Sequence, residues 1–236
     1  MSSSHRSRSA FFLTLAAVFC LLQADGPSLK TTRPQELGRD IPETMFPVSG
    51  PAHAFEEAER LRERSGEAFL RQRGALYSTA IEGWRVAGNL SGEADSWNGL
   101  AEVRRSLGDL RGAVAAFDAA ILRFKRLDKR DREVEALNSQ GRVFRLLGRL
   151  DRAEDTYRQA LATAKRIGFL PGEAVARNNL GMLWYYTGEI DMALPSLREA
   201  LAIWQKLGET SRSATTLKNI GSTYLLGGRI DDAIAG

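Results

Sequence analysis

The chain repeats itself every forty residues, and few sequence features narrow the choice of fold so far. Glycine recurs at Gly108, Gly148, Gly188 and Gly228, each forty residues after the last. Alanine keeps the same step at Ala113, Ala153, Ala193 and Ala233, and again at Ala120, Ala160 and Ala200. Phe144, Trp184 and Tyr224 fill an aromatic column, and Phe117 and Tyr157 stand in another. A short unit cannot bury its apolar face alone, so recurring units must stack and share one continuous core.

Each unit reads as two helices. Over residues 173–187 the small or apolar residues Ala176, Leu180, Leu183 and Trp184 recur at three- and four-residue spacing, which gives one adhesive face. Gly188 ends that helix as a left-handed cap, for which glycine carries no steric cost. A second helix is expected from about 190 to 207, with Ala193, Leu194, Leu197, Ala200, Leu201 and Trp204 inward and Gly208 closing it. Small residues at Gly181, Ala193 and Ala200 let the two backbones approach, and Leu180, Trp184 and Leu197 fill the space around them. Composition agrees: with 7 prolines and 8% aromatic residues in 236, and Ala, Leu, Arg, Glu and Gly dominant, helices are favoured over sheets.

Several chemistries are excluded early. The single cysteine, Cys20, rules out a disulfide framework and a cysteine-based zinc site. The two histidines, His5 and His53, stand near the N-terminus without acids at metal spacing. No nucleophile–base pair or ligand set remains, so no catalytic residue, metal or cofactor is expected.

The pattern resembles the tetratricopeptide repeat family. Its sequence of Leu-Gly, aromatic, Ala, apolar residue and Ala is matched by Leu180-Gly181, Trp184, Ala193, Leu197 and Ala200, and by Gly141, Phe144, Ala153, Tyr157 and Ala160. The usual family period is 34 residues; here a longer second helix and turn make it forty. The resemblance implies an all-α, right-handed α-solenoid of antiparallel helix pairs over 51–236. Four units are expected at 54–93, 94–133, 134–173 and 174–213, with a truncated fifth at 214–236. The first departs most, carrying Arg73 where the alanine belongs, although Tyr77, Ala80, Ile81 and Trp84 still fit its second helix. The chain stops within the second helix of the fifth unit, which reads as a fragment of a longer protein. Within the family the array is similar to those of bacterial proteins ending in a CHAT domain, a caspase-like protease. Repeats of this type also occur in kinesin light chains and signalling scaffolds.

The family register places a groove along the first helices, and three columns face it. One holds Asn98, Asn138 and Asn178, changing to Lys218. In similar arrays such asparagines resemble a ladder that holds the backbone of an extended peptide, and an amide can both donate to and accept from a peptide unit. They could equally bond the neighbouring helix and set the stacking angle; both roles stay open, since one group can do both. The next columns are Glu102, Arg142, Met182 and Ser222, then Arg105, Arg145, Tyr185 and Leu225. Arg105, Arg142 and Arg145 make the early groove basic, whereas Met182, Tyr185, Tyr186 and Leu225 make the later groove apolar and aromatic, with one of the two tyrosines expected to pack under a neighbouring repeat. A partner with an acidic portion followed by hydrophobic side chains would suit this split, because the arginine fork matches carboxylates.

The N-terminus carries His5, Arg6 and Arg8 without an acid, then an unbroken apolar run over 10–22. Thirteen helical residues rise about 20 Å, short of a roughly 30 Å hydrocarbon core. With Ala24 as the small residue, residues 1–24 read as a signal peptide, or as an N-terminal anchor if uncleaved. Residues 25–50, with Pro27, Pro34, Pro42 and Pro47 among glycines, read as a linker. Removing Arg6 and Arg8 lowers the formal charge from +4 to +2. The basic stretch over 125–132 is interrupted by Asp128, Asp131 and Glu133 and has no interleaved aromatics, so it reads as a solvated helix end and turn and not a nucleic-acid patch. The sequence thus points to an exported, periplasmic or secreted, non-catalytic scaffold whose partner is a protein or extended peptide. Contact with a membrane would come only through the N-terminal segment. The alternative is a sensor or regulatory module of a longer enzyme, such as a CHAT-domain protease, whose catalytic part is missing here.

Overall fold

The structure, a computed structural model, describes residues 50–228, and among these it contains nine α-helices and one 3₁₀ turn. The expected signal segment 1–24, nearly all of the linker 25–50 and the last residues of the fifth unit, Ala233 included, lie outside the described residues. The helices are α1 (Pro51–Arg60), α2 (Glu67–Val86), α3 (Leu90–Ser106), α4 (Leu110–Arg126), α5 (Arg130–Leu146), α6 (Leu150–Ile167), α7 (Leu170–Thr187), α8 (Ile190–Lys206) and α9 (Thr210–Leu226). The 3₁₀ turn Leu61–Glu63 extends α1.

Turn chemistry explains their even spacing. Left-handed φ recurs every twenty residues, at Gly88, Gly108, Asp128, Gly148, Gly168, Gly188, Gly208 and Gly228. Asp128, at φ 54°, is the one non-glycine of the series, and aspartate tolerates this region better than most residues. Past six of these residues the next amide reaches back to a carbonyl five positions earlier, as in Lys129 N–H to Phe124 C=O (3.0 Å) and Glu189 N–H to Trp184 C=O (2.8 Å). This bond satisfies a carbonyl the helix end would orphan, and the left-handed residue before it reverses the chain. Helix pairs consequently begin at Leu90, Arg130, Leu170 and Thr210. The expected unit boundaries at 94, 134, 174 and 214 fall one turn inside the first helices.

Each helix packs on the next, so neighbours run antiparallel. The first helices α3, α5, α7 and α9 also touch one another in sequence along one side of the stack. That is the α-solenoid of antiparallel pairs expected from the repeats. The alanine columns sit between packed helices: Ala113, Ala120, Ala153, Ala160, Ala193 and Ala200 are all fully buried. Glycines do the same from the facing helix. A methyl group at Gly141 would strike the Tyr157 ring, and one at Gly181 would lie 2.6 Å from Leu197 Cγ. Large residues then close the layer, with Phe117, Phe124, Leu180, Leu183 and Leu197 almost wholly excluded from water. Among the described residues no helix is long and apolar enough to cross a membrane.

Candidate functional site

The first helices face a cleft of about 940 Å³. Its wall begins at Phe55 and Glu59 on α1, crosses Tyr77 on α2, runs along α3 and α5, and ends at Pro171, Val175 and Asn179 on α7 and Arg212 on α9. Four residues expected to bind a partner meet there: Asn98, Arg105, Asn138 and Arg142. Asn178 opens instead into a smaller pocket of about 200 Å³, beside Trp204 and Thr216. Lys218 is exposed on α9 and lines neither space.

The asparagine column bridges units. Asn138 is buried, donates its amide to the Gly172 carbonyl of the next first helix (3.4 Å), and accepts from Asn179 (3.5 Å). Asn178 accepts from Asn219 (3.0 Å) and from the Thr216 hydroxyl (3.5 Å). Of the two roles left open by the sequence, these bonds carry out the stacking role. Asn98, half-buried on α3, keeps its place in the cleft wall.

The early groove is less basic than its arginine columns imply. Glu102 lies between Arg105 (2.8 Å) and Arg142 (3.4 Å) and draws charge from both. Burial would raise the Glu102 carboxyl, but the Ser139 hydroxyl and the two arginines outweigh it and hold the group below the usual carboxylate range. Arginines still outnumber carboxylates along the cleft, six to four. Arg145 is turned away from it: its guanidinium sits 5.3 Å from the Tyr186 ring centroid and beside the Tyr157 phenol. Burial pushes that phenol up to about 12 despite the pull of Arg145 and Arg142, so Tyr157 stays neutral at physiological pH.

The expected apolar half of the groove is divided: Met182 and Tyr185 are spent on packing, while Tyr186 and Leu225 are exposed. Met182 packs against Leu194, Leu197, Ile220 and Tyr224, and Tyr185 against the cluster around Phe144, Leu180 and Trp184. Tyr186 remains 59% exposed, with its ring edge-on to Tyr185 at 5.3 Å. One tyrosine of the pair therefore packs inward, as expected.

A column of acids, buried at Glu93 and Glu133 and mostly buried at Glu173, went unread in the sequence, although it keeps the forty-residue step. Glu93 bonds Arg123 (2.5 Å) and Trp97 Nε1 (3.3 Å), Glu133 bonds Arg130 (3.0 Å), and Glu173 bonds Arg177 (2.8 Å), which also reaches Glu199. The stretch over 125–132 is accordingly more than a solvated helix end. Its Lys125 and Arg130 neutralise Glu133, and Arg132 bonds Asp95 (2.8 Å) across the cleft while covering the Phe124 ring.

These pairs make stability depend on pH. The Arg123 bond holds Glu93 below its ordinary value against the opposing effect of burial. A carboxylate lowered on folding stabilises the fold above its unfolded value, about pH 4.3, and loses that contribution as pH falls through the lowered folded value. Urea titrations should show stability level near neutrality and falling below about pH 4. Glu93→Gln should be weaker at pH 7 and lose less on acidification. An unchanged acid limb in that variant would mean that Glu93 does not contribute to it.

Comparison with known proteins adds family and fold. The sequence matches a tetratricopeptide repeat family model over residues 92–166 and 172–235. No curated protein matches it. Among solved structures it is similar to BtubC of P. vanneervenii (22% identity, 78% of this chain, 84% of that one, TM-score 0.58). It is likewise similar to the nearly identical TPR-like repeats of a Podosopora anserina kinesin light chain-type protein (15% identity, 78% and 91%, TM-score 0.64). A third is the Rap protein complexed with Competence and Sporulation Factor (15% identity, 78% and 51%, TM-score 0.65); this chain spans about half of that protein. At such identities the likeness is one of fold.

Proposed function

Because this chain belongs to the tetratricopeptide repeat family, we propose that it is a non-catalytic protein-interaction scaffold that holds an extended segment of a partner in the cleft of its first helices. The observation that carries the reading is the cleft itself: about 940 Å³, open to solvent, and walled by four successive first helices. Packed helices stand about 8–10 Å apart, and an extended chain advances about 3.3 Å per residue. Each unit therefore spans about three partner residues, and the cleft holds roughly nine. Its wall offers donors and acceptors, among them Asn98, Ser139 and Asn179, that suit a peptide backbone of any sequence. A Rap protein of similar fold was solved complexed with Competence and Sporulation Factor, which agrees with a protein or peptide as the partner here. The reading includes export, resting on the basic start and the apolar run over 10–22.

The excess of arginine over carboxylate favours acidic partners. A partner peptide can be selected from a displayed random library against the full chain and then titrated. Replacing Arg105 and Arg142 by alanine should weaken an acidic peptide by about two- to thirtyfold at low salt, given about 0.2–1 kcal/mol for each exposed ion pair. The loss should shrink as salt is raised from about 0.05 to 0.5 M, where screening shortens to a few ångströms. An affinity unaffected by the substitutions at both salts would remove these arginines from the binding surface.

A further inference from the structure

One arginine of the cleft stands apart from the others. Arg62, Arg105, Arg132, Arg142 and Arg212 each lie within 4 Å of a carboxylate, respectively Glu59, Glu102, Asp95, Glu102 and Glu209. Arg73 has no carboxylate within that distance among the described residues. It is also nine-tenths buried, and its Nε–H has no acceptor. Its guanidinium sits 6.0 Å from the Tyr77 ring centroid and hydrogen-bonds the Tyr77 phenol oxygen, whose own O–H donates to Glu59; that phenol is a neutral partner and leaves Nε–H over.

Packing does not ask for this residue. The equivalent positions in the following units are Ala113, Ala153 and Ala193, each fully buried. A guanidinium cannot shed its proton to escape burial, and a buried charge without a counter-ion weighs against folding. A cation kept at that cost, on the wall of an open cleft, calls for an anion from outside. A positive charge that no carboxylate contacts directly among the described residues, with a planar donor to spare, matches a single carboxylate.

We propose that Arg73, at the N-terminal end of the groove, is a binding site for one carboxylate of the partner, either its C-terminus or an aspartate or glutamate side chain. The site lies on α2, a second helix, apart from the first-helix columns. It rests on the groove reading for its peptide ligand but not for its anion chemistry, and the test separates the two.

The ¹⁵N-labelled full chain is titrated with sodium acetate at constant ionic strength maintained with sodium chloride, while the Arg73 Nε–H resonance is followed. That resonance should move saturably with acetate and stay fixed in chloride alone. Arg73→Met should remain folded and weaken acetate binding, read at the Asn98 and Gly99 amides, by about ten- to a hundredfold. An acetyl-capped alanine–serine octapeptide is then compared as free acid, as C-terminal amide, and as amide with one internal aspartate. Preference for the free acid identifies a C-terminus, and preference for the aspartate form a side chain; both should vanish in Arg73→Met. An Arg73 resonance unmoved by acetate, or moved equally by chloride, overturns the proposal. Peptides that bind wild type and Arg73→Met alike, in all three forms, overturn it while leaving the groove reading intact. An acetate response with no peptide binding would uphold the anion site and sink the groove.

Discussion

Phe117→Ala should destabilise the array by about 3–5 kcal/mol, the range for deleting a fully buried aromatic side chain. Phe117 is 0% exposed, and it belongs to the cluster that joins α3, α4, α5 and α6 through Ala101, Ala116, Leu137 and Ala160. For a domain of this size the loss corresponds to a drop of about 6–20 °C in Tm. In a stack where each unit leans only on its neighbours, the damage should begin locally. Amide exchange should rise first in α4 and α5, with α8 and α9 following. An unchanged Tm by circular dichroism would mean that the helix register is wrong.

That register was legible because the repeat writes it in residues with strong steric meaning. A left-handed turn after each helix asks for glycine, and a tight helix crossing asks for alanine or glycine, so both columns stand out in the sequence. The exception shows the limit of the signal: Asp128 takes the turn conformation at φ 54° where every other such residue in the described chain is glycine. Without its glycine that turn disappears into a charged run. Charge there does not mean exposure. Glu133 is 2% exposed and Arg132 bonds across to Asp95, because Lys125, Arg130 and the facing helix supply the partners.

The site was legible in outline only. Asn98, Asn138, Arg105 and Arg142 do line one cleft, as the forty-residue columns imply. What those columns leave undetermined is the angle between successive units. That angle decides whether Asn138 and Asn178 turn toward a ligand or toward Gly172 and Asn219 of the next helix, and here they turn toward the helix. It also sends Met182 into the packing around Leu197. Arg73 was visible as a break in the alanine column, but only the structure shows it buried, with its Nε–H unpartnered and no carboxylate within 4 Å among the described residues.

The central claim is that the partner lies along the first helices, and blocking the cleft floor tests it most directly. Ser139 is half-buried on α5 in the middle of the cleft wall, between Glu102 and Arg142. Ser139→Trp should fill the space without entering the core. Ala162, exposed on the second helix α6, provides the matching control as Ala162→Trp. The measurement is the Kd of a library-selected peptide for the full-length wild type and both variants, each first shown to keep its helicity and Tm. The account predicts that Ser139→Trp weakens binding by about a hundredfold, the loss of a central contact worth roughly 2–3 kcal/mol, while Ala162→Trp leaves it unchanged. A folded Ser139→Trp that binds as tightly as wild type, or an Ala162→Trp that abolishes binding, would contradict the account and move the interaction surface to the second helices.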